Sequence, residues 1–135
     1  MKINKGMYKI TAAIVMYNND EDMLLEAIKS FLNTGLNVML YLIDNSPSDK
    51  LKKLVIDSRI EYIHNPSNPG FGASHNVAIK KSLMLDSEYH LVLNPDIYFD
   101  KGTLERISDF MDSNIAVGHV MPKVTYPNGE FQYLC

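Results

Sequence analysis

Short apolar runs alternate with helical patterns along most of this chain. Ile10–Met16 is an almost unbroken apolar run and predicts a buried strand. Leu24, Leu25, Ile28, Phe31 and Leu32 then recur at helical spacing, ending near Gly35 as a helix stop. Val38–Ile43 reads as a second buried strand, closed by the turn-rich Asp44-Asn-Ser-Pro-Ser-Asp49. A short helix over Lys50–Asp57 and a brief strand over Ile60–Ile63 follow. Asn65–Gly72 is a loop, and Ala73–Leu85 is helical, with Val77, Leu83 and Met84 among its apolar positions. Leu91–Leu93 is a further strand. A helix is expected from Gly102 to Met111, with Asp100 placed to cap it. Ala116–Met121 reads as a strand, and Tyr126-Pro-Asn-Gly129 as a hairpin turn between residues 123–125 and 131–134. Strands alternating with helices imply βαβ units, hence an α/β fold with a mainly parallel sheet flanked by helices.

No repeat, low-complexity tract or linker interrupts the chain, so residues 1–135 read as a single domain around one core. The formal charge of −3 leaves no basic footprint for nucleic acid. Lys50, Lys52 and Lys53, and again Lys80 and Lys81, fit solvated helix faces. The single cysteine, Cys135, allows no intrachain disulfide, which suits a reducing compartment. Lys2, Lys5 and Lys9 precede the first apolar run in the manner of a signal peptide. That run instead passes directly into Tyr17-Asn-Asn-Asp20 and is read as a strand. Nothing approaches the roughly 18 apolar residues of a membrane span, and a cytoplasmic location is expected.

The candidate chemistry gathers at strand ends. Pro95 cannot donate to a sheet ladder, so the strand before it stops and delivers Asn94 and Asp96 to its carboxyl end. One carboxylate beside a neutral oxygen donor suits Mg²⁺, which keeps waters and takes substrate phosphates. The plain alternative is a turn, since Asn, Pro and Asp all favour one. Parallel strands end on one side, so Tyr17-Asn18-Asn19, Asp44-Asn45-Ser46 and Asn65–Asn76 share that edge. Asp44 could accept from a ligand donor such as a pyrimidine imide, or simply make a turn. In Asn68-Pro-Gly-Phe-Gly-Ala-Ser-His-Asn76, Gly70 and Gly72 permit close backbone approach before a helix N-terminus. It is not a dinucleotide fingerprint, which follows the first strand and needs a third glycine where this chain has His75. His64, His75, His90 and His119 show no ligand spacing, although His75 borders the proposed pocket. Neither a nucleophile elbow nor a Walker loop is present.

Taken in order, these motifs resemble the N-terminal, donor-binding half of a family 2 glycosyltransferase of the GT-A, Rossmann-like kind, nearest its rhamnosyltransferase-like branch. Ile14-Val15-Met16-Tyr17-Asn18 resembles the opening strand and turn, and Leu42-Ile43-Asp44-Asn45-Ser46 the second strand with its base-binding aspartate. Asn68-Pro69-Gly70-Phe71-Gly72 with Asn76 resembles the Asn-x-Gly-Phe-Gly…Asn signature. Leu93-Asn94-Pro95-Asp96 resembles the branch's version of Asp-x-Asp. The resemblance implies donor nucleotide contacts from Tyr17, Asn18, Asp44, Asn45, Gly70, Phe71, Gly72, Asn76 and Asn94. It further implies Asp96 as a ligand to Mg²⁺ or Mn²⁺. The sugar of a dTDP-rhamnose or UDP-sugar donor would pass, with inversion, to a glycan or lipid-linked acceptor. Asn94 departs from the first aspartate of many relatives. The family's catalytic base belongs to a half not represented here, so the chain reads as a truncated domain; Asp109, Asp112 and Glu130 have no context recommending them. A cut sheet edge predicts self-association through Phe131, Tyr133 and Leu134. Attachment at the inner membrane face is compatible with the acceptor class. Two rivals remain: a nucleotidyltransferase, which lacks its basic glycine-rich loop here, and a non-catalytic nucleotide- or partner-binding remnant.

Overall fold

In the computed structural model, which describes residues 8–133, the first apolar run forms strand β1 (Ile10–Met16). Its continuous hydrophobicity has a physical cause: β1 is hydrogen-bonded along both edges and covered on both faces. Helix α1 (Glu21–Leu32) starts where the Asp20 carboxylate accepts the Met23 N–H at 2.9 Å. β2 (Val38–Asp44) and β3 (Ile60–His64) add in parallel on one side of β1, and β4 (Tyr89–Leu93) on the other. The order is β3-β2-β1-β4. Helices α2 (Phe71–Met84) and α3 (Thr103–Ser113) complete the regular structure. The helix expected over Lys50–Asp57 is a 3₁₀ turn, Lys50–Leu54. No helix among the described residues is long and apolar enough to cross a membrane.

Side chains alternate across the sheet. Ile10, Ala12, Ile14 and Met16 of β1 join Leu24, Ala27, Ile28 and Phe31 of α1 in the main core. The other face is smaller, with Ala13, Tyr41 and Ile43 against Ala78 of α2. Polar groups fill the space around it. Thr11 Oγ1 shares hydrogen bonds with Ser82 Oγ at 2.6 Å and His90 Nδ1 at 2.9 Å. Its N–H donates to Ser87 Oγ at 3.1 Å. Both ring nitrogens of His75, and Nε2 of His90, are buried without a hydrogen-bond partner among the described residues. Burial disfavours their charged forms: His75 is lowered, and His90 falls to about 4 through burial and then the neighbouring His75.

Several expectations are corrected. α2 starts at Phe71, before Ala73, and buries Ser74, His75, Ala78 and Ser82, while Val77, Leu83 and Met84 face solvent. Small and polar side chains suit a helix seated closely on a sheet face that supplies hydroxyl and imidazole partners. Asp100 does not cap α3; left-handed Gly102 (φ 90°) occupies the cap, and Asp100 gives only its carbonyl to the Thr103 N–H. Ala116–Met121 is not a strand, for it runs without a ladder neighbour among the described residues and leaves Met121 largely exposed. The hairpin is reduced to one antiparallel bridge, Thr125 with Phe131, around Gly129 at φ 89°. Phe131 and Tyr133 are exposed and meet edge to face at 4.8 Å; Leu134 and Cys135 lie outside the described residues.

Candidate functional site

Ligands in an open parallel sheet sit beyond the carboxyl ends of the strands, where the strand order reverses. The chain steps outward from β1 to β2 to β3, then returns to lay β4 on the far side of β1. The switch point therefore falls between Tyr17-Asn18, after β1, and Asn94-Pro95-Asp96, after β4. Ile14 is in register with Leu93, and Met16 with Asp44, so three turns stand side by side.

The β2 turn is the hub of this edge. Asp44, Asn45 and Ser46 are buried, Asp44 completely. The Ser46 N–H donates to Asp44 Oδ1 at 3.0 Å, and the Tyr62 hydroxyl to Asp44 Oδ2 at 2.5 Å. Ser46 Oγ accepts the Asn18 N–H at 2.8 Å, tying in the β1 turn. His64 Nε2 lies 2.9 Å from the Ser46 carbonyl oxygen, which ties in β3. The Asn45 side-chain amide donates to Ser74 Oγ at 2.8 Å and accepts from it at 3.2 Å, pinning the first turn of α2. Each bond satisfies a group that burial would otherwise penalise.

Around this hub the anticipated residues divide into buried and open ones. Asp44 and Asn45 are engaged within the chain, and a base can reach Asp44 only if the surrounding loops part. Tyr17 is half exposed, its N–H held by Asn19 Oδ1, and Asn18 adopts φ 47°. Gly70, at φ 102° and ψ 167°, precedes α2 in a backbone region nearly closed to other residues. Apart from its chain neighbours, no atom of the described residues lies within 4 Å of the place a Cβ would take, so conformation, not crowding, selects glycine. Phe71 is exposed with its ring 4.4 Å from that of His75, which turns under the helix, away from the open edge. Gly72 and Asn76 lie exposed on the first turns of α2. Asn94 and Asp96 are exposed, and no hydrogen bond among the described residues engages either side chain.

Those two oxygen donors fit a hard cation only in part. No group of three or more Asp, Glu, His or Cys residues is assembled among the described residues. Waters and a bound phosphate would have to complete the shell, as Mg²⁺ accepts. Sequence reasoning missed Tyr62, His64, Ser46 and Ser74 as members of this network. A signal existed for two of them: Tyr62 and His64 alternate along β3 on the face that Asp44 shares.

A parallel sheet with its polar turns gathered at the switch point, and a glycine-opened helix beside them, places the chain among α/β domains of the GT-A type. The chain belongs to glycosyl transferase family 2, whose family model matches residues 11–133. It is similar to the low-salt glycan biosynthesis hexosyltransferase Agl10 of Haloferax volcanii, at 31% identity over 100 residues. That match covers 73% of this chain and 31% of the relative, so the chain spans about a third of the relative's length. Among solved structures it resembles S. aureus TarS, with a TM-score of 0.64 and 21% identity over 88% of this chain and 24% of that one. The TarS 1–349 structure gives a TM-score of 0.66 at 21% identity, over 90% of this chain and 43% of that one. At that identity the likeness is one of fold.

Proposed function

We propose that this chain is the donor-binding portion of a nucleotide-sugar-dependent glycosyltransferase. The observation that carries the reading is the convergence of the Tyr17, Asp44, Gly70 and Asn94-Asp96 segments at the strand carboxyl ends, three of them joined through Ser46 and Asn45. The nucleobase would lie against Tyr17, Asn18 and Asp44. The diphosphate would approach Gly70–Asn76, where unpaired N–H groups of the first turn of α2 favour an anion. Asp96, assisted by Asn94, would hold Mg²⁺ or Mn²⁺. When bound, that cation would neutralise negative charge on the departing nucleoside diphosphate.

The donor we propose is dTDP-rhamnose or a UDP-sugar, with a glycan or lipid-linked hydroxyl as acceptor and an inverting transfer at the inner face of a membrane. Two copies would associate through the exposed Phe131–Tyr133 edge; sedimentation as monomer alone at tens of micromolar, roughly the range of weak contacts, counts against this. Calorimetric titration with UDP and dTDP, each with and without Mn²⁺, tests the donor site. Metal-dependent binding that Asp96→Ala abolishes is expected, and no binding by either nucleotide counts against the reading.

One observation favours a second reading, a nucleotide-binding part without turnover of its own. A general base works best with a pKa near the operating pH. Asp112 instead is held below its ordinary value by its bonds to Lys9 and Tyr89. Sugar transfer measured with the chain alone separates the two readings.

A further inference from the structure

We propose that Tyr62 is a positioning residue for nucleobase recognition, fixing the Asp44 carboxylate in the orientation from which it accepts a base N–H. The proposal rests on the donor-site reading above. Asp44 is completely buried, and among the described residues no Lys, Arg or His side chain is hydrogen-bonded or ion-paired to it. A buried carboxylate without a cation must be given hydrogen-bond donors. It has two here, of unlike kinds. The Ser46 N–H on Oδ1 belongs to the same turn and moves with it. The Tyr62 hydroxyl on Oδ2 comes from the neighbouring strand, and among the described residues it is the one side-chain bond that ties the Asp44 carboxylate to β3.

Tyr62 is itself well held. Its ring packs against the main core and stacks on His64 at 6.3 Å, and His64 in turn reaches the Ser46 carbonyl. Burial first, then the bond to Asp44, raises the Tyr62 hydroxyl above its ordinary range, so it stays protonated and remains a donor. A carboxylate offers about four lone-pair directions, and these two bonds leave others for a ligand. A carboxylate held in this way offers a ligand only acceptor positions. A base must then present an N–H, as uracil and thymine do at N3 and cytosine does not. Tyr62→Phe would keep the ring packing and leave Oδ2 short of its donor.

The test is calorimetric titration of the full chain with UDP and with N3-methyl-UDP, for wild type, Tyr62→Phe, Asp44→Asn and the double variant. Wild type should prefer UDP. Tyr62→Phe should weaken UDP binding about tenfold, the usual scale for one bond to a charged group, with N3-methyl-UDP little changed. In the Asp44→Asn background the same change should add nothing. The ratio between the two ligands is the deciding quantity, because loss of folded protein lowers both alike and leaves the ratio unaltered. An unchanged ratio in Tyr62→Phe overturns the proposal; tighter UDP binding also overturns it, since the hydroxyl would then be competing with the ligand. If Asp44→Asn leaves UDP binding untouched, the nucleobase role of Asp44 fails instead.

Discussion

The two faces of the sheet are built on different terms. Toward α1, the contacts are aliphatic and aromatic: Leu24, Ala27, Ile28 and Phe31 interlock with alternate residues of β1 and β2. Toward α2, the helix is seated through Ser74, His75, Ala78 and Ser82, with Thr11 and His90 answering from the sheet. The apolar face needs only shape and volume. The polar face pairs Thr11 with Ser82 and His90 but buries His75 without a hydrogen-bond partner among the described residues, so its stability depends on protonation state. The difference has a spatial logic, because α2 also delivers Gly70–Asn76 to the candidate site, and its Ser74 is bonded to Asn45 of the hub. One face is a foundation and the other is a joint.

Breaking the foundation should cost most. Phe31 is fully buried in the main core, and Phe31→Ala should destabilise the chain by about 3–5 kcal/mol in urea unfolding. A loss under about 1 kcal/mol would show that the α1 face can collapse around a cavity, which would erase the contrast.

Acid should strike the other face. His75 and His90 sit below the ordinary value of 6.5, His90 at about 4, so the unfolded chain binds more protons between those limits. Their neutral forms support the fold fully above about pH 6.5, and that support is lost as pH falls toward about 4. Thermal melts should show a loss of roughly 1–2 kcal/mol between pH 6.5 and 4.5, after allowance for partial exposure. His90→Asn should flatten that slope. A slope unchanged in the variant would place the acid sensitivity elsewhere.

The smallest effect sharpens the contrast most. Met84 is an apolar residue of α2 that faces water at 86% exposure, so Met84→Ser should change stability by no more than about 0.5 kcal/mol. A loss several times larger in solution would mean that another surface covers it.

Legibility in the sequence followed the same division. β1 and β2 were readable to within a residue, because strands covered on both faces must be apolar throughout. α1 was readable because its apolar stripe faces the core; its start at Asp20 emerged only with the structure. α2 was located as a helix, yet its apolar residues pointed the wrong way; a stripe of Ser, His, Ala and Ser carries no hydrophobic periodicity. Ala116–Met121 has strand composition, but composition cannot tell whether a neighbouring strand is there to pair with. At the candidate site, turn residues identified the edge. The bonds that bind the edge together, Tyr62 to Asp44 and Asn45 to Ser74, join positions 18 and 29 apart in the chain and leave no local trace.

The strand order also sets a hierarchy in time. β1 is laddered on both sides, whereas among the described residues β4 is paired only with β1 and leaves Val92 half exposed. Amide protons of β1 should exchange only when the whole sheet opens, and those of β4 by fraying at the rim. Tyr17 and Asp44 hang from the slow strands, Asp96 from the fast one. The two ends of the proposed donor site thus keep different clocks: at the nucleoside end the strands stand and only the loops over Asp44 must part, while the carboxylate at the phosphate end would come and go with its strand.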